Sequence, residues 1–167
     1  MPAGRWVVFD TNVYVAALRE GVNGPAFARI RERAPRTFMA SVVSAELRAG
    51  AKNQTGRRAV LELADQFDRL GRVVTPDARS WNLAGDVLGE IRRREPRLRA
   101  KIASLWNDAL IALSARQIGA SIVTDNVRDF ELLRRFVRFD LEPFHKPSRG
   151  SSSSTSRSSS RRSSSWS

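Results

Sequence analysis

Short apolar runs that alternate with longer segments of helical periodicity constrain the fold of this chain most strongly. Four runs, each too short for a buried helix, read "WVVF", "TFMA", "RVVT" and "SIVT". The segments between them repeat apolar residues every three or four positions, as amphipathic helices do. Strands that alternate with helices favour a parallel sheet covered on both faces. The sequence therefore predicts an α/β fold of four strands, with a fifth at "FVRF".

Several residues mark the predicted ends of the helices. Ser41 and Ser104 are predicted N-caps, because a serine hydroxyl accepts a hydrogen bond from a free N–H of the first turn. Asp77 is predicted to open a helix, and Gly50 and Gly71 are predicted to end two others. The predicted helical segments are 12–20, 25–33, 42–50, 57–71, 77–94, 105–119 and 126–133.

The composition fits one folded domain followed by a tail. A chain of 167 residues, 41% of them apolar, is long enough for a single hydrophobic core. Residues 147–167 are rich in serine and arginine, and they bury too little apolar area to offset the entropy of ordering them. We therefore predict a folded domain at 1–146 and a disordered tail at 147–167.

Composition also narrows the compartment and the partner. The chain has no cysteine, which excludes disulfides, thiolate zinc sites and cysteine nucleophiles. No run approaches the ~20 apolar residues of a membrane span, and the N-terminus lacks a signal peptide's apolar core. We expect a cytoplasmic protein without a membrane partner. Its net charge of +12 favours a polyanion such as nucleic acid, although a basic surface also serves solubility.

Acidic residues directly follow two of the predicted strands. Asp10 ends the string "WVVFD", and Asp125 ends "SIVTD". Because the carboxyl ends of parallel strands meet at one edge, where ligands bind, both acids are expected at that edge. Each also has a simpler explanation. Asp10 could cap the following helix, and Asp125 could be a turn residue in "TDN".

Two further acids lie on predicted apolar helix faces. Glu46 has apolar residues four positions before and three after it, and Asp108 has them three before and four after. A solvated acid would normally face the other way. Glu46 could instead pair with an arginine, Asp108 with a neighbour on its helix, and Asp129 could cap the short last helix. Considered together, the acids predict one cluster.

Clustered carboxylates repel one another, and their pKa values rise unless a cation compensates the charge. Oxygen ligands without histidine or cysteine favour Mg²⁺ or Mn²⁺ over zinc. Such an ion suits phosphodiester hydrolysis because it lowers the pKa of a water, while the basic surface holds the nucleic-acid backbone. Other chemistries fit poorly. The only histidine, His145, adjoins the predicted tail, and neither a Walker loop nor a nucleophile elbow is present.

The strings "VVFDTNVYVAAL", "SAELRAG", "NDALIALSA" and "IVTDNVRDF" resemble, in order and spacing, the motifs of PIN-domain ribonucleases, VapC-type toxins in particular. The resemblance covers about residues 5–144. It implies a PIN-like three-layer α/β/α sandwich with a mostly parallel central sheet of four to five short strands. It also implies Mg²⁺- or Mn²⁺-dependent endonucleolytic cleavage of RNA, typically tRNA or rRNA, together with a homodimer and a cognate antitoxin.

The resemblance assigns roles to individual positions. Asp10, Glu46 and Asp108 match the family's first three catalytic and metal-binding acids. The fourth acid is either Asp129, which aligns with the family's usual acid, or Asp125, which directly follows the strand. The polar residues that match positions beside these acids, and that would orient a carboxylate or a water, are Thr11, Asn12, Thr124 and Asn126.

Two alternative functions stay open at this point. A phosphatase of the haloacid dehalogenase type also has an aspartate after its first strand. It needs a second aspartate two residues later, where this chain has Asn12. A non-catalytic basic RNA-binding module would not need the acids, yet all of the family's acids are present. Turnover of a small phosphate ester would indicate the phosphatase, and RNA binding without cleavage would indicate the module.

Overall fold

A computed structural model of the protein describes residues 5–145, and the predicted tail at 147–167 lies outside these residues. The strands are β1 (Val7–Phe9), β2 (Thr37–Ala40), β3 (Val73–Val74), β4 (Ser121–Thr124) and β5 (Asp140–Pro143). They form one sheet in the order β3-β2-β1-β4-β5, and every neighbouring pair is parallel. The predicted α/β fold with a parallel sheet is confirmed.

Seven α-helices lie among residues 5–145: α1 (Thr11–Glu20), α2 (Pro25–Arg33), α3 (Ser41–Gly50), α4 (Gln54–Arg69), α5 (Ala78–Arg94), α6 (Ile102–Gln117) and α7 (Val127–Arg134). Two 3₁₀ segments, Ala34–Arg36 and Pro96–Lys101, lead into β2 and α6. Within this part of the chain, none of the helices combines the length and the apolar character needed to cross a bilayer.

The order of the strands changes direction after β3. From β1 the chain moves outward through β2 to β3, and it then returns to the other side of β1 to form β4 and β5. Since crossovers between parallel strands are right-handed, this reversal places α1–α4 on one face of the sheet and α5–α7 on the other. The reversal leaves a crevice beyond the carboxyl ends of β1 and β4, where ligands bind in sheets of this kind.

Strand β1 is the central strand, and both of its faces are buried. Val7, Val8 and Phe9 are all inaccessible to solvent, and Val8 lies opposite Ile122 of β4. Helix α6 contributes a continuous buried run at 109–115 and contacts β1, β2 and β4. Burial on both faces explains why β1 and β4 are unbroken apolar runs in the sequence instead of alternating patterns.

Two of the predicted helix caps are wrong. Helix α3 begins at Ser41 itself, and Ala40 occupies the N-cap position without a side-chain hydrogen bond, because β2 runs directly into the helix. Ser104 lies inside α6, where its hydroxyl donates to the carbonyl oxygen of Lys101 at 2.8 Å. The 3₁₀ segment before α6 already sets the direction of the chain, so the helix starts earlier than the serine predicts.

The fifth strand lies four residues later than predicted. Residues Asp140–Pro143 pair with β4, with Leu141 opposite Ile122, whereas "FVRF" precedes the strand. Phe139 is buried against Phe130 of α7, with ring centroids 6.3 Å apart. The apolar residues of "FVRF" therefore help to pack the end of α7 on the core, and the strand forms where the register with β4 allows it.

The buried position of β4 leads to a stability prediction. Ile122→Ala should lower the free energy of unfolding by about 2–4 kcal/mol, because it leaves a cavity at a side chain with 0% exposure. Urea unfolding followed by circular dichroism measures the change. Leu70→Ala is a matched control at a side chain that is 64% exposed, and it should change stability by less than about 0.5 kcal/mol. Equal losses in the two variants would contradict the packing described here.

Candidate active site

The candidate site is built around Asp10, which directly follows β1 at the crevice between β1 and β4. Its carboxylate is only 4% exposed. The backbone N–H of Thr11 donates to Oδ1 at 2.7 Å, and the Thr124 hydroxyl donates to Oδ2 at 2.8 Å. Asp10 is also the N-cap of α1, where the helix dipole favours negative charge. Asp10 therefore caps α1 and also belongs to the candidate site, so its two interpretations are compatible.

Burial nevertheless raises the pKa of Asp10 above its ordinary value. The hydrogen bonds from Thr124 and Thr11 act against this rise, and the nearby charges of Glu46 and Asp125 add to it. A carboxyl that is held by two donors and still has a raised pKa lies in a place where negative charge is costly. A cation at the site would remove that cost.

The polar pair after Asp10 connects it to neighbouring elements. The Thr11 hydroxyl donates to Oε2 of Glu46, and Asn12 Nδ2 donates to Oγ1 of Thr124 at 3.2 Å. The Thr124 hydroxyl also accepts from the backbone N–H of Asn126 at 2.9 Å. Asn12 Oδ1 is buried and has no hydrogen-bond partner among the described residues. An acceptor of this kind is suited to a water or an ion that the chain itself does not supply.

Glu46 on α3 is half-buried and links three helices. Its Oε2 accepts from Thr11 of α1, and its Oε1 accepts from Nδ2 of Asn107 on α6 at 2.7 Å. The buried face of α3 consists of Val43 and Leu47. The spacing predicted Glu46 on the apolar face, and the structure places it half-buried beside that face, with its carboxylate bonded to α1 and α6.

The pKa of Asp108 on α6 indicates how close the acids lie to one another. This pKa is raised from 3.8 to about 7, mainly by burial and then by the charges of Asp10, Asp129 and Glu46, in that order. Lys101 acts in the opposite direction. Three carboxyl groups, one directly after β1, one on α3 and one on α7, thus lie near enough to influence the protonation of Asp108 on α6.

The two candidates for the fourth acid have different partners. Asp129, in the first turn of α7, forms an ion pair with Lys101 through Oδ1 and accepts from Asn126 Nδ2 through Oδ2 at 3.1 Å. Asp125 faces His145 instead. Its Oδ1 accepts from the His145 backbone N–H at 3.2 Å and lies 2.7 Å from Nδ1 of the same residue. The charge of Asp129 raises the pKa of Asp108, whereas the charge of Asp125 raises the pKa of Asp10.

The cluster is not a closed metal cage. Among residues 5–145, no three acidic or histidine side chains converge tightly enough to form a ready ligand set. Protein donors hold Asp10, Glu46 and Asp129 instead. The donor types still fit a hard divalent cation, since they are carboxylate oxygens together with the unpartnered amide oxygen of Asn12. The site opens into a pocket of about 410 Å³, lined by Asp10, Thr11, Asn12, Arg19, Glu46, Asp108 and Asn126.

Three residues of the site were not predicted from the sequence. Arg19 lines the pocket, Asn107 binds Glu46, and Lys101 binds Asp129. Lys101 had no usable signal, because it precedes the predicted helix at 105–119 and its partner Asp129 lies on another helix. Asn107 and Arg19 had none, since an asparagine next to an acid and an arginine near the end of a helix are ordinary surface residues.

The raised pKa of Asp108 predicts how stability depends on pH. In metal-free buffer, the free energy of unfolding should fall as the pH rises from about 4 to about 7. In this range the folded chain keeps a proton on Asp108 that the unfolded chain has lost. Asp108→Asn removes this titration and should flatten the curve. Urea unfolding at pH 4–8 with a chelator measures it.

The control for this measurement is Asp86→Asn, at an exposed carboxylate on α5 outside the cluster. This variant should keep the slope of the unmodified protein. Parallel curves for Asp108→Asn and the unmodified protein would show that Asp108 ionises normally, and they would contradict its burial among other acids.

The chain is similar in fold to several solved complexes. It matches one chain of VapBC2 from Rickettsia felis, bound to promoter DNA, with 22% identity and a TM-score of 0.57 over 83% of this chain and 98% of that chain. It matches DNA-bound VapBC from Salmonella typhimurium with 23% identity and a TM-score of 0.61, over 85% of this chain and 100% of that chain. It also matches VapBC-1 from nontypeable Haemophilus influenzae, with 21% identity and a TM-score of 0.59. This match covers 84% of this chain and 98% of that chain.

Comparison at the level of sequence gives one clear result. No curated protein matches this chain at a significant level. The family model of the PIN domain, however, matches residues 7–135, a span that begins with β1, ends just after α7 and includes every acid discussed above. The chain belongs to the PIN domain family, as its motifs predicted.

Proposed function

We propose that this protein is a metal-dependent endoribonuclease, and the toxin of a toxin–antitoxin pair, that hydrolyses phosphodiester bonds in tRNA or rRNA. The observation that carries the proposal is that Asp10, Glu46 and Asp129 all lie near enough to Asp108, in a PIN domain, for their charges to raise its pKa. Acids from four separate elements have no structural reason to meet, because their mutual repulsion is destabilising. A shared divalent cation supplies that reason.

The four acids would hold Mg²⁺ or Mn²⁺, with Asp129 as the fourth. When bound, such an ion supplies positive charge and Lewis acidity for phosphodiester hydrolysis. The chain's own residues set the geometry. Thr124 and the Thr11 N–H fix both oxygens of Asp10, and Thr11 orients Glu46. Asn12 and Asn126 orient Thr124 in turn, so that Asp10 and Glu46 are held in place by the chain itself.

The protonation of Asp108 links the site to neutral pH. With a pKa of about 7, its carboxyl carries a proton in about half of the molecules at that pH. Asp108 would hold a cation as the ionised carboxylate, so the affinity of the site for the ion should rise with pH in this range.

The charge outside the cluster supports RNA as the substrate. The chain carries a net +12 despite the acidic pocket, and Arg19 is an exposed cation on the pocket wall. The acids would repel a phosphodiester without an ion, whereas the basic surface attracts its backbone. Small cations and a polyanion are thus drawn to adjacent parts of one surface.

The resemblance of the motifs to VapC-type toxins supports a cognate antitoxin as the protein partner and a homodimer as the assembly. The similar solved structures are VapBC complexes, which agrees with a partner protein for this fold. Co-expression with the product of an adjacent small gene tests the antitoxin, and sedimentation of the purified chain tests the homodimer. Failure of the two proteins to bind would contradict the antitoxin, and a monomer in sedimentation would contradict the homodimer.

The acids make a direct prediction for activity. Asp10→Asn and Asp108→Asn should each reduce Mg²⁺-dependent cleavage of total tRNA and rRNA by at least about 100-fold, because each variant removes a charge that holds the ion. Gel electrophoresis of the cleaved RNA measures this. Asp86→Asn, an exposed acid on α5, should keep full activity.

The same assay separates the proposal from its alternatives. Full cleavage by Asp10→Asn would overturn the assigned site. Turnover of a small phosphate ester would indicate the phosphatase, and binding of RNA without cleavage in Mg²⁺ or Mn²⁺ would indicate a non-catalytic module. Thermal unfolding of each variant shows whether a lost activity reflects a lost fold.

A second prediction distinguishes the two candidates for the fourth acid. Asp129→Asn should reduce cleavage by at least about 10-fold, because Asp129 is one of the acids whose charge raises the pKa of Asp108 and is a proposed ligand of the ion. Asp125→Asn should retain most of the activity, since the carboxylate of Asp125 faces His145. Kinetics on one RNA at saturating Mg²⁺ measure both variants. A larger loss in Asp125→Asn would reverse the assignment.

A further inference from the structure

Lys101 is a cation within the acidic cluster. It is the last residue of the 3₁₀ segment before α6, and its ammonium group forms an ion pair with Oδ1 of Asp129. The Lys101 side chain is 35% exposed and that of Asp129 only 14%, so the pair is partly buried. The charge of Lys101 also lowers the pKa of Asp108, which the charges of the acids raise. Its charge therefore reaches two of the four acids.

The other acids are held differently. Neutral donors bind both oxygens of Asp10, namely the Thr11 N–H and the Thr124 hydroxyl, and two neutral side chains bind Glu46. Of the four proposed ligands, Asp129 is the one that forms an ion pair with a cation among the described residues. Its second oxygen accepts from Asn126, so both oxygens already have partners.

We propose that Lys101 is a built-in counterion that occupies Asp129 until a divalent cation displaces it. This inference rests on the proposed metal-dependent function. An ammonium group and a divalent cation cannot both contact the same carboxylate oxygen without strong repulsion between their charges. Uptake of the ion at Oδ1 of Asp129 therefore requires Lys101 to withdraw. Its long, flexible and partly exposed side chain permits that movement.

The exchange has two consequences for the protein. Without an ion, Lys101 compensates part of the negative charge of the cluster and keeps Asp129 oriented toward the crevice. With an ion, the same charge opposes binding, so Lys101 weakens the affinity for the metal. The residue is thus a positioning residue that makes occupancy of the site depend on the concentration of the ion.

The test measures the uptake of Mn²⁺ alone, by calorimetry on the full chain. Lys101→Met keeps the length and the apolar stem of the side chain but removes the charge. It should bind Mn²⁺ about fivefold to tenfold more tightly than the unmodified protein. Lys101→Arg restores a cation and should bind with an affinity close to that of the unmodified protein.

Arg99→Met is the matched control, because it removes the same unit of charge from an exposed side chain of the same 3₁₀ segment. Screening by salt should limit its effect on Mn²⁺ affinity to less than about twofold. The double variant Lys101→Met, Asp129→Asn should lose most of the gain, since the competition for Asp129 no longer exists. A gain of the same size with and without Asp129 would overturn the proposed competition.

Thermal unfolding separates competition from a merely structural ion pair. Lys101→Met should melt at a lower temperature than the unmodified protein in a chelator, and Mn²⁺ should raise its melting temperature by a larger amount. A lower melting temperature with unchanged Mn²⁺ affinity would overturn the inference and leave the proposed function intact. The absence of Mn²⁺ uptake by both proteins would overturn the metal-dependent function, and the inference with it.

Discussion

The burial of Asp10 at the centre of the sheet is the constraint on which the rest of the site depends. An unpaired carboxylate in such a place would cost several kcal/mol. The Thr11 N–H and the Thr124 hydroxyl offset much of that cost by occupying its two oxygens. Because Asp10 follows β1 and Thr124 ends β4, the bond from Thr124 also holds the carboxyl ends of the two strands together. Glu46 and Asp108 are then positioned around this junction by α3 and α6.

Charge is divided between the interior of the crevice and the surface that surrounds it. The cluster gathers carboxylates that raise the pKa of Asp10 and Asp108, and it contains one lysine that compensates them only in part. The chain as a whole is strongly basic, with a net charge of +12. In the proposed function, the acids would attract a small cation, and basic residues such as Arg19 at the pocket would attract a polyanion.

The features predicted correctly from the sequence were those that local physics decides. Asp77 does cap α5 by accepting from the Ser80 N–H at 2.8 Å, and Gly71 does follow α4 with a positive φ, because both signals act within one turn of helix. Ser41 and Ser104 failed as caps because the preceding segments set where the helices begin. The fifth strand moved because its register depends on pairing with β4, which no run of letters records.

The sequence by itself determined the parallel α/β architecture, the family, and the acids that belong at the carboxyl ends of the strands, since periodicity and topology are both encoded in the order of residues. Only the tertiary structure decided which group holds each acid. Thr11 binds Glu46 across 35 positions, Asn107 binds it across 61, Lys101 binds Asp129 across 28, and His145 binds Asp125 across 20. Spacing along a chain predicts which face of a helix or strand a side chain occupies. It carries no information on which donor from another element comes within hydrogen-bonding distance.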